Sequence, residues 1–175
     1  MSTQQPDSLP TDYSQSHPLL SARTIARMSA DPCPHPLNAA AIHHAKSLGD
    51  AVGLQHVGIH FCTLDPLTDS TVFHWHHTDD EWVYILSGRG VLKISKEDES
   101  GCMRHREVEE VEIGPGDFMG FKRHGRAHAL RNTQVEEKLV FLCGGERNED
   151  MVVEYPLVNK MLRKANGKYT FSDLP

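Results

Sequence analysis

The stretch VFHWHHTDDEWVYILSGRG, residues 72 to 90, sets three histidines, two aspartates and one glutamate within eight positions and then runs into an apolar strand and a glycine turn. Ionisable side chains beside a buried strand cost desolvation energy unless something compensates them. Side chains on a strand alternate faces, so His74 and His76 point one way while Phe73, Trp75 and His77 point the other. In the next run Glu81, Val83 and Ile85 share a face, with Trp82, Tyr84 and Leu86 opposite. If Val83 and Ile85 take the interior, Glu81 goes with them and lies beside the two imidazoles across the short HTDD connection. Two imidazoles and a carboxylate converging in a low-dielectric interior call for a cation, and the donor set suits Fe, Mn, Ni, Co, Zn or Cu.

Working outward, short β-rich runs continue on both sides: LQHVGIHFCTL (54–64), TVFHWH (71–76), EWVYILS (81–87), GVLKIS (90–95), HREVEEVEI (105–113), DFMGF (117–121), AHALRN (127–132), EKLVFLC (137–143) and MVVEY (151–155). Turn-forming segments such as DPLTDS, SGRG, KEDESG and GPG separate them. Short strands at regular spacing without long helices between them predict an all-β sandwich or barrel. Residues 1–36, rich in Ser, Pro, Gln and Asp, read as a mostly disordered tail with a short helix in LLSARTIARM. Residues 37–53 read as a short helical lead-in, with Asn38 as N-cap of an alanine-rich run and Gly49 near its end. Residues 156–175, with apolar and basic positions in helical order, read as a short C-terminal helix and tail.

The second half of the chemical signal is GPGDFMGFKRHGRAHALRN, residues 114–132, in which His128 opens a strand-like run and Asn132 follows four residues later. A paired strand could aim His128 at the same point as His74, His76 and Glu81. Four such ligands leave one or two open positions on an octahedral metal, where substrate or dioxygen can bind. His124 is the alternative fourth ligand, although its place before Gly125 reads as a loop.

These paired segments resemble the cupins. The first cupin motif, G(x)5HxH(x)3-4E(x)6G, is met by His74, His76, Glu81 and Gly88, with Thr68 in place of the leading glycine. The second, G(x)5PxG(x)2H(x)3N, is met by Gly116, Gly125, His128 and Asn132 with one extra residue, and Arg123 stands at the proline position. The resemblance covers roughly residues 54–155 and implies a double-stranded β-helix, the cupin jelly-roll barrel, with an N-terminal extension and short flanking helices. It implies a divalent transition metal held by His74, His76, Glu81 and His128, with Fe placed first and Mn, Ni, Zn, Cu or Co as alternatives. Small stand-alone cupins of bacteria and fungi are similar in texture. Some fungal ones act as tailoring enzymes of polyketide pathways, a looser analogy.

Composition narrows the partners. The formal net charge of -6, with no cluster of Lys or Arg, argues against nucleic-acid or anionic-membrane surfaces. No apolar run approaches the roughly 20 residues that span a bilayer, and the start of the chain lacks the charged and apolar pattern of a signal peptide, so a cytoplasmic protein is expected. Cys33, Cys62, Cys102 and Cys143 form no C-x-x-C pair, so thiols rather than a zinc knuckle or disulfide framework are expected.

The remaining candidates divide by parity and position. Arg126 shares strand parity with His128 and reads either as a guanidinium gripping a substrate carboxylate or phenolate, or as an exposed loop residue. His77 points away from the ligands. Asp79 and Asp80 solvate the turn or orient a ligand imidazole from behind. His43, His44, His56 and His60 lie outside both motifs and are expected to be exposed or hydrogen-bonded. Phe73, Trp75, Trp82 and Tyr84 fall on outward faces in this scheme, which predicts sheet packing or a homodimer interface. The leading functional expectation is a metal-dependent oxidoreductase or dioxygenase acting on an oxygenated or aromatic small molecule. The alternatives are a non-redox isomerase, cyclase or dehydratase using the metal as Lewis acid, and a small-molecule-binding module without catalysis.

Overall fold

Apolar residues alternate with polar ones along most of the chain, and a computed structural model, which describes residues 18–97 and 103–174, folds these runs into antiparallel sheets. In chain order the elements are α1 (Ala22–Arg27), β1 (Asp31–His35), β2 (Asn38–Ser47), α2 (Leu48–Ala51), β3 (Val57–Leu64), β4 (Trp75–His76), β5 (Glu81–Ser87), β6 (Gly90–Glu97), β7 (Met103–Ile113), β8 (Phe118–Phe121), β9 (His128–Asn132), β10 (Leu139–Glu146), β11 (Met151–Tyr155), β12 (Lys160–Ala165) and β13 (Lys168–Asp173). A six-stranded sheet runs β1-β2-β3-β10-β5-β8, a three-stranded sheet β7-β6-β9 and a four-stranded sheet β13-β12-β11-β4. The architecture is all-β, as the strand spacing predicts, and it is the jelly roll that the resemblance to the cupins implies.

The core forms where the inner faces of the first two sheets meet. Cys62 and Leu64 of β3, Val83 and Ile85 of β5, Met119 and Phe121 of β8, and Leu139 and Phe141 of β10 pack with Leu92, Ile113 and Leu130 of the three-stranded sheet. Burial of these side chains, about 1.5–3 kcal/mol for each large one, supplies the main driving force. The parity read for β5 holds: Val83 and Ile85 are buried, whereas Tyr84 and Leu86 are each 39% exposed.

Two turns depend on glycine. Gly88 closes the β5–β6 turn at φ +82°, and a Cβ there would lie 2.3 Å from the Lys138 carbonyl oxygen. Gly116 sits at φ +95° ahead of β8. L-residues are strained in this region.

Several expectations at the ends of the chain are corrected. Residues 38–47 are strand rather than helix, and only Leu48–Ala51 are helical. Asn38 does not cap a helix; its side-chain oxygen accepts from the Ala40 amide at 3.0 Å. Pairing with β1 on one side and β3 on the other overrides the helix preference of the alanine run, and Ala41 is fully buried. Part of the expected tail is therefore ordered, since α1 and β1 fall within residues 18–36; residues 1–17 lie outside the described residues. The C-terminal helix is instead the β12–β13 hairpin, in which Ala165 pairs with Lys168 and the turn residues Asn166 and Gly167 both have positive φ, 50° and 72°. Asn-Gly is the preferred sequence for that two-residue turn. The run TVFHWH keeps only Trp75–His76 as strand, joined by an isolated bridge at His74.

Phe73 and Trp75 are also corrected. They do not present an outer aromatic face but are buried, at 5% and 9% exposure, in a second cluster with Ala127, Ala129 and Val108. The far side of the segment before β4 is covered by β7 and β9, so the dimer expectation loses two of its four aromatic supports.

Candidate metal centre

His74 and His76 alternate with Phe73 and Trp75, so burying the two aromatic rings on one side turns both imidazoles to the other. The segment that carries them runs antiparallel to β9: the His74 amide donates to the His128 carbonyl at 3.1 Å and the His128 amide to the His74 carbonyl at 2.7 Å. This exchange places the histidine of the second motif beside those of the first. Glu81 enters from the start of β5. The Nε2 atoms of His128, His76 and His74 lie 3.2, 3.3 and 3.6 Å from one oxygen of Glu81, Oε2.

Two of the three imidazoles are held from behind through Nδ1. That of His74 donates to the Val72 carbonyl at 2.9 Å and that of His128 to the Arg126 carbonyl at 3.2 Å. Carbonyls only accept, so both histidines keep the proton on Nδ1 when neutral and turn an unprotonated Nε2 toward Glu81. Nδ1 of His76 faces Asp79 Oδ2 at 3.6 Å. The Phe121 ring stacks on His128 with centroids 3.5 Å apart, fixing the ring plane.

Electrostatics show how much this cluster depends on charge compensation. Burial by itself favours neutral Glu81, yet the three imidazoles gathered around it, His128 first, outweigh it and hold the carboxyl well below its usual range. For His76, burial acts to lower the pKa, but Asp79 and Glu81 overcome it and raise it to about 9. His128 is lowered, chiefly by burial. Neither ring nitrogen of His76 has a hydrogen-bond partner although both are buried. Orphaned buried nitrogens are costly. His74, His76 and Glu81 bring ligand atoms within 4.8 Å of one another, with His128 Nε2 3.2 Å from the same Glu81 oxygen, a set that a divalent transition metal would satisfy.

The neighbours sort plainly. Asp79, 3% exposed, is held by Thr78 Oγ1 at 2.6 Å and by Asn148 Nδ2 at 2.8 Å while it faces His76. Asp80 accepts the backbone N–H of Arg123 at 2.7 Å. A proline, usual at the position of Arg123, has no N–H to give, so this turn is closed by a different bond. His124 does not join the cluster. It sits at φ 55° in the turn before β9, donates its amide to the His76 carbonyl at 2.8 Å and turns its ring toward His77. His77 pairs with Glu154 at 2.8 Å, on the side away from the ligands. Asn132 is fully buried, donating to the Leu64 and Glu137 carbonyls and accepting from the Gln134 amide, so its role is to lock the end of β9.

Arg126, read either as a substrate grip or as an exposed loop residue, is partly buried and lines a neighbouring cavity that also reaches Glu81. Its Nε donates to the Ser95 carbonyl and its Nη2 pairs with Glu109, tying β9 to β6 and β7. The residues missed by the motifs are His43, His60 and Arg147, which line the same cavity of about 350 Å³ as His74, Glu81 and His128. The signal for His60 was present: it has the parity of Cys62 and Leu64, which point inward.

A jelly-roll barrel with a His/His/Glu/His cluster on its inner wall defines the class of this protein. The model of the cupin domain matches residues 60–145. A candidate sugar phosphate isomerase of Acidithiobacillus ferrooxidans is 41% identical over 89% of this chain and 91% of its own, with a TM-score of 0.79. The chain belongs to the cupin family. A sugar phosphate isomerase of the cupin superfamily from Silicibacter pomeroyi is 27% identical over 89% of this chain and 92% of its own, with a TM-score of 0.70. A polyketide cyclase of Streptomyces resistomycificus, 17% identical over 73% of this chain and 80% of its own with a TM-score of 0.52, shares the fold alone. No curated protein matches the chain.

Proposed function

We propose that this protein is a metal-dependent cupin isomerase acting on a small phosphorylated sugar, with His74, His76, Glu81 and His128 as the metal ligands. The observation that carries the reading is the likeness, over nearly the whole of both chains, to the Acidithiobacillus ferrooxidans protein. The non-redox alternative of the sequence reading is thereby preferred to the oxidoreductase one. A divalent metal held by these four residues would supply Lewis acidity toward a substrate carbonyl or hydroxyl oxygen.

Isomerisation between an aldose and a ketose moves a proton between neighbouring carbons and therefore needs a base in the same cavity. His43 is suited to it. Its Nδ1 is 2.9 Å from the Ser70 carbonyl, an acceptor that keeps the proton on that nitrogen, so Nε2 of the neutral ring carries the lone pair. His43 lines the cavity together with His74, Glu81 and His128. Val83, Leu130 and Phe141 also line the cavity, and their apolar surface limits water around the reacting carbons.

The test is turnover of aldose and ketose phosphates by protein loaded with Mn, Fe, Co, Ni or Zn, in air and under nitrogen. Interconversion at the same rate with and without oxygen, abolished by a chelator, is expected. Oxygen-dependent turnover, or tight binding of sugar phosphates without product, would overturn the isomerase reading.

A further inference from the structure

The cavity that holds the His/Glu cluster has a second polar end. β10 lies between β3 and β5, and in its register Gly145 stands opposite Gly58 on one side and Glu81 on the other. Gly58, Gly145 and Glu81 thus form one row across the sheet, and with strands about 4.8 Å apart the row spans about 10 Å. Neither glycine has a side chain, and at Gly145 the Asp80 carbonyl oxygen and Glu81 Cγ stand 2.8 and 3.1 Å from where a Cβ would be.

Over Gly58 three nitrogens meet. A Cβ at Gly58 would lie 3.3 Å from Nε of Arg147, 3.8 Å from its Nη2 and 3.4 Å from Nε2 of His60. The other nitrogen of the guanidinium is already committed, since Nη1 pairs with Asp50 Oδ1 at 2.5 Å and reaches the Leu54 carbonyl at 3.5 Å. Those bonds orient the group and leave the Nε/Nη2 edge, the fork that grips two oxygens of a phosphate or carboxylate, turned over Gly58. His60 makes no side-chain hydrogen bond among the described residues, and both His60 and Arg147 line the cavity. The rim carboxylate nearest in sequence, Glu146, accepts the Asp80 amide at 3.1 Å.

We propose that the Nε/Nη2 edge of Arg147 and Nε2 of His60, converging over Gly58, bind the phosphate group of the substrate two strands away from Glu81. The inference rests on the sugar phosphate reading for the identity of the substrate, but the anion site itself is a property of these residues. It places the sugar carbons over Gly145, with the oxygen to be polarised at the Glu81 end. Specificity then follows from length, because only a substrate whose phosphate and reacting carbonyl are separated by the width of the row meets both ends.

The experiment uses inorganic phosphate and full-length protein freed of metal by a chelator, followed by calorimetry. Phosphate binds the metal-free protein, and Arg147→Gln and His60→Gln each weaken it at least tenfold, while Arg126→Gln, whose guanidinium is tied to Ser95 and Glu109, leaves it unchanged. In wild-type protein loaded with Mn, paramagnetic relaxation of the phosphate phosphorus places it about 10 Å from the metal, a readout that does not depend on the variants folding. Binding seen only with metal present and insensitive to Arg147→Gln, or a phosphorus within the coordination shell of the Mn, overturns the proposal. Phosphate bound as described with no sugar phosphate turned over would sink the isomerase reading and leave the anion site standing. Isomerisation with an unchanged KM in Arg147→Gln would do the reverse.

Discussion

Asp79 shows how much of the centre rests on residues that touch no substrate. Its carboxyl is held below the usual range: burial opposes this, but His76, Thr78 and Asn148 outweigh it. Asp79→Asn keeps the shape and removes the charge behind His76, so metal affinity, read by competition with a chromophoric chelator, should fall by about 10–100-fold. Tyr155 offers a test of burial itself. Its phenol is 5% exposed and pushed up to about 12, first by desolvation and then by the charge of Glu81. The folded state therefore keeps this proton at pH values where the unfolded chain, at the ordinary tyrosine value of 10.0, has lost it. Stability falls as pH rises from about 10 toward 12, and Tyr155→Phe should flatten that part of the alkaline denaturation curve. At this scale the ligand set was legible because strand parity alone sorts His74, His76 and Glu81 from His77 and Trp75. His43 and Arg147 were not, because nothing in their spacing points to the motifs, and His60 showed only through the inward parity it shares with Cys62 and Leu64.

The elements explain why the motifs work and why some assignments failed. Gly88 has to remain glycine for two reasons, its φ of +82° and the Lys138 carbonyl oxygen 2.3 Å from where a Cβ would stand. Gly88→Ala should destabilise the protein by about 1–3 kcal/mol in urea unfolding, with loss of the β5–β6 turn that follows Glu81. The alanine-rich run 38–47 carries a helix preference worth only tenths of a kcal/mol per residue, and sheet pairing on both edges exceeds it. The run before Asn166-Gly167 was read by the spacing of its apolar residues, although the dipeptide signals a hairpin more strongly. Local pattern is ambiguous for such short segments, and the partner strand settles them.

For the whole molecule, the metal and the barrel are expected to stabilise each other, since ligands from β4, β5, β9 and the bridge at His74 meet at one point. Metal at one hundred times its Kd should add about 2.7 kcal/mol, raising Tm, and Glu81→Gln should abolish that increment in thermal scans with and without chelator. No helix among the described residues is long and apolar enough to cross a membrane. The sequence by itself determined the strand-rich class and the common inward face of His74, His76 and Glu81, because alternation and turn residues are local properties. It also determined His128 as a candidate, through the spacing of the second motif. Only the tertiary structure placed His128 rather than His124 beside Glu81, tied Arg126 to Ser95 and Glu109, and brought Arg147 and His60 together over Gly58. Each of those outcomes depends on which strands lie side by side and in what register, and register is set by long-range pairing that no local pattern encodes.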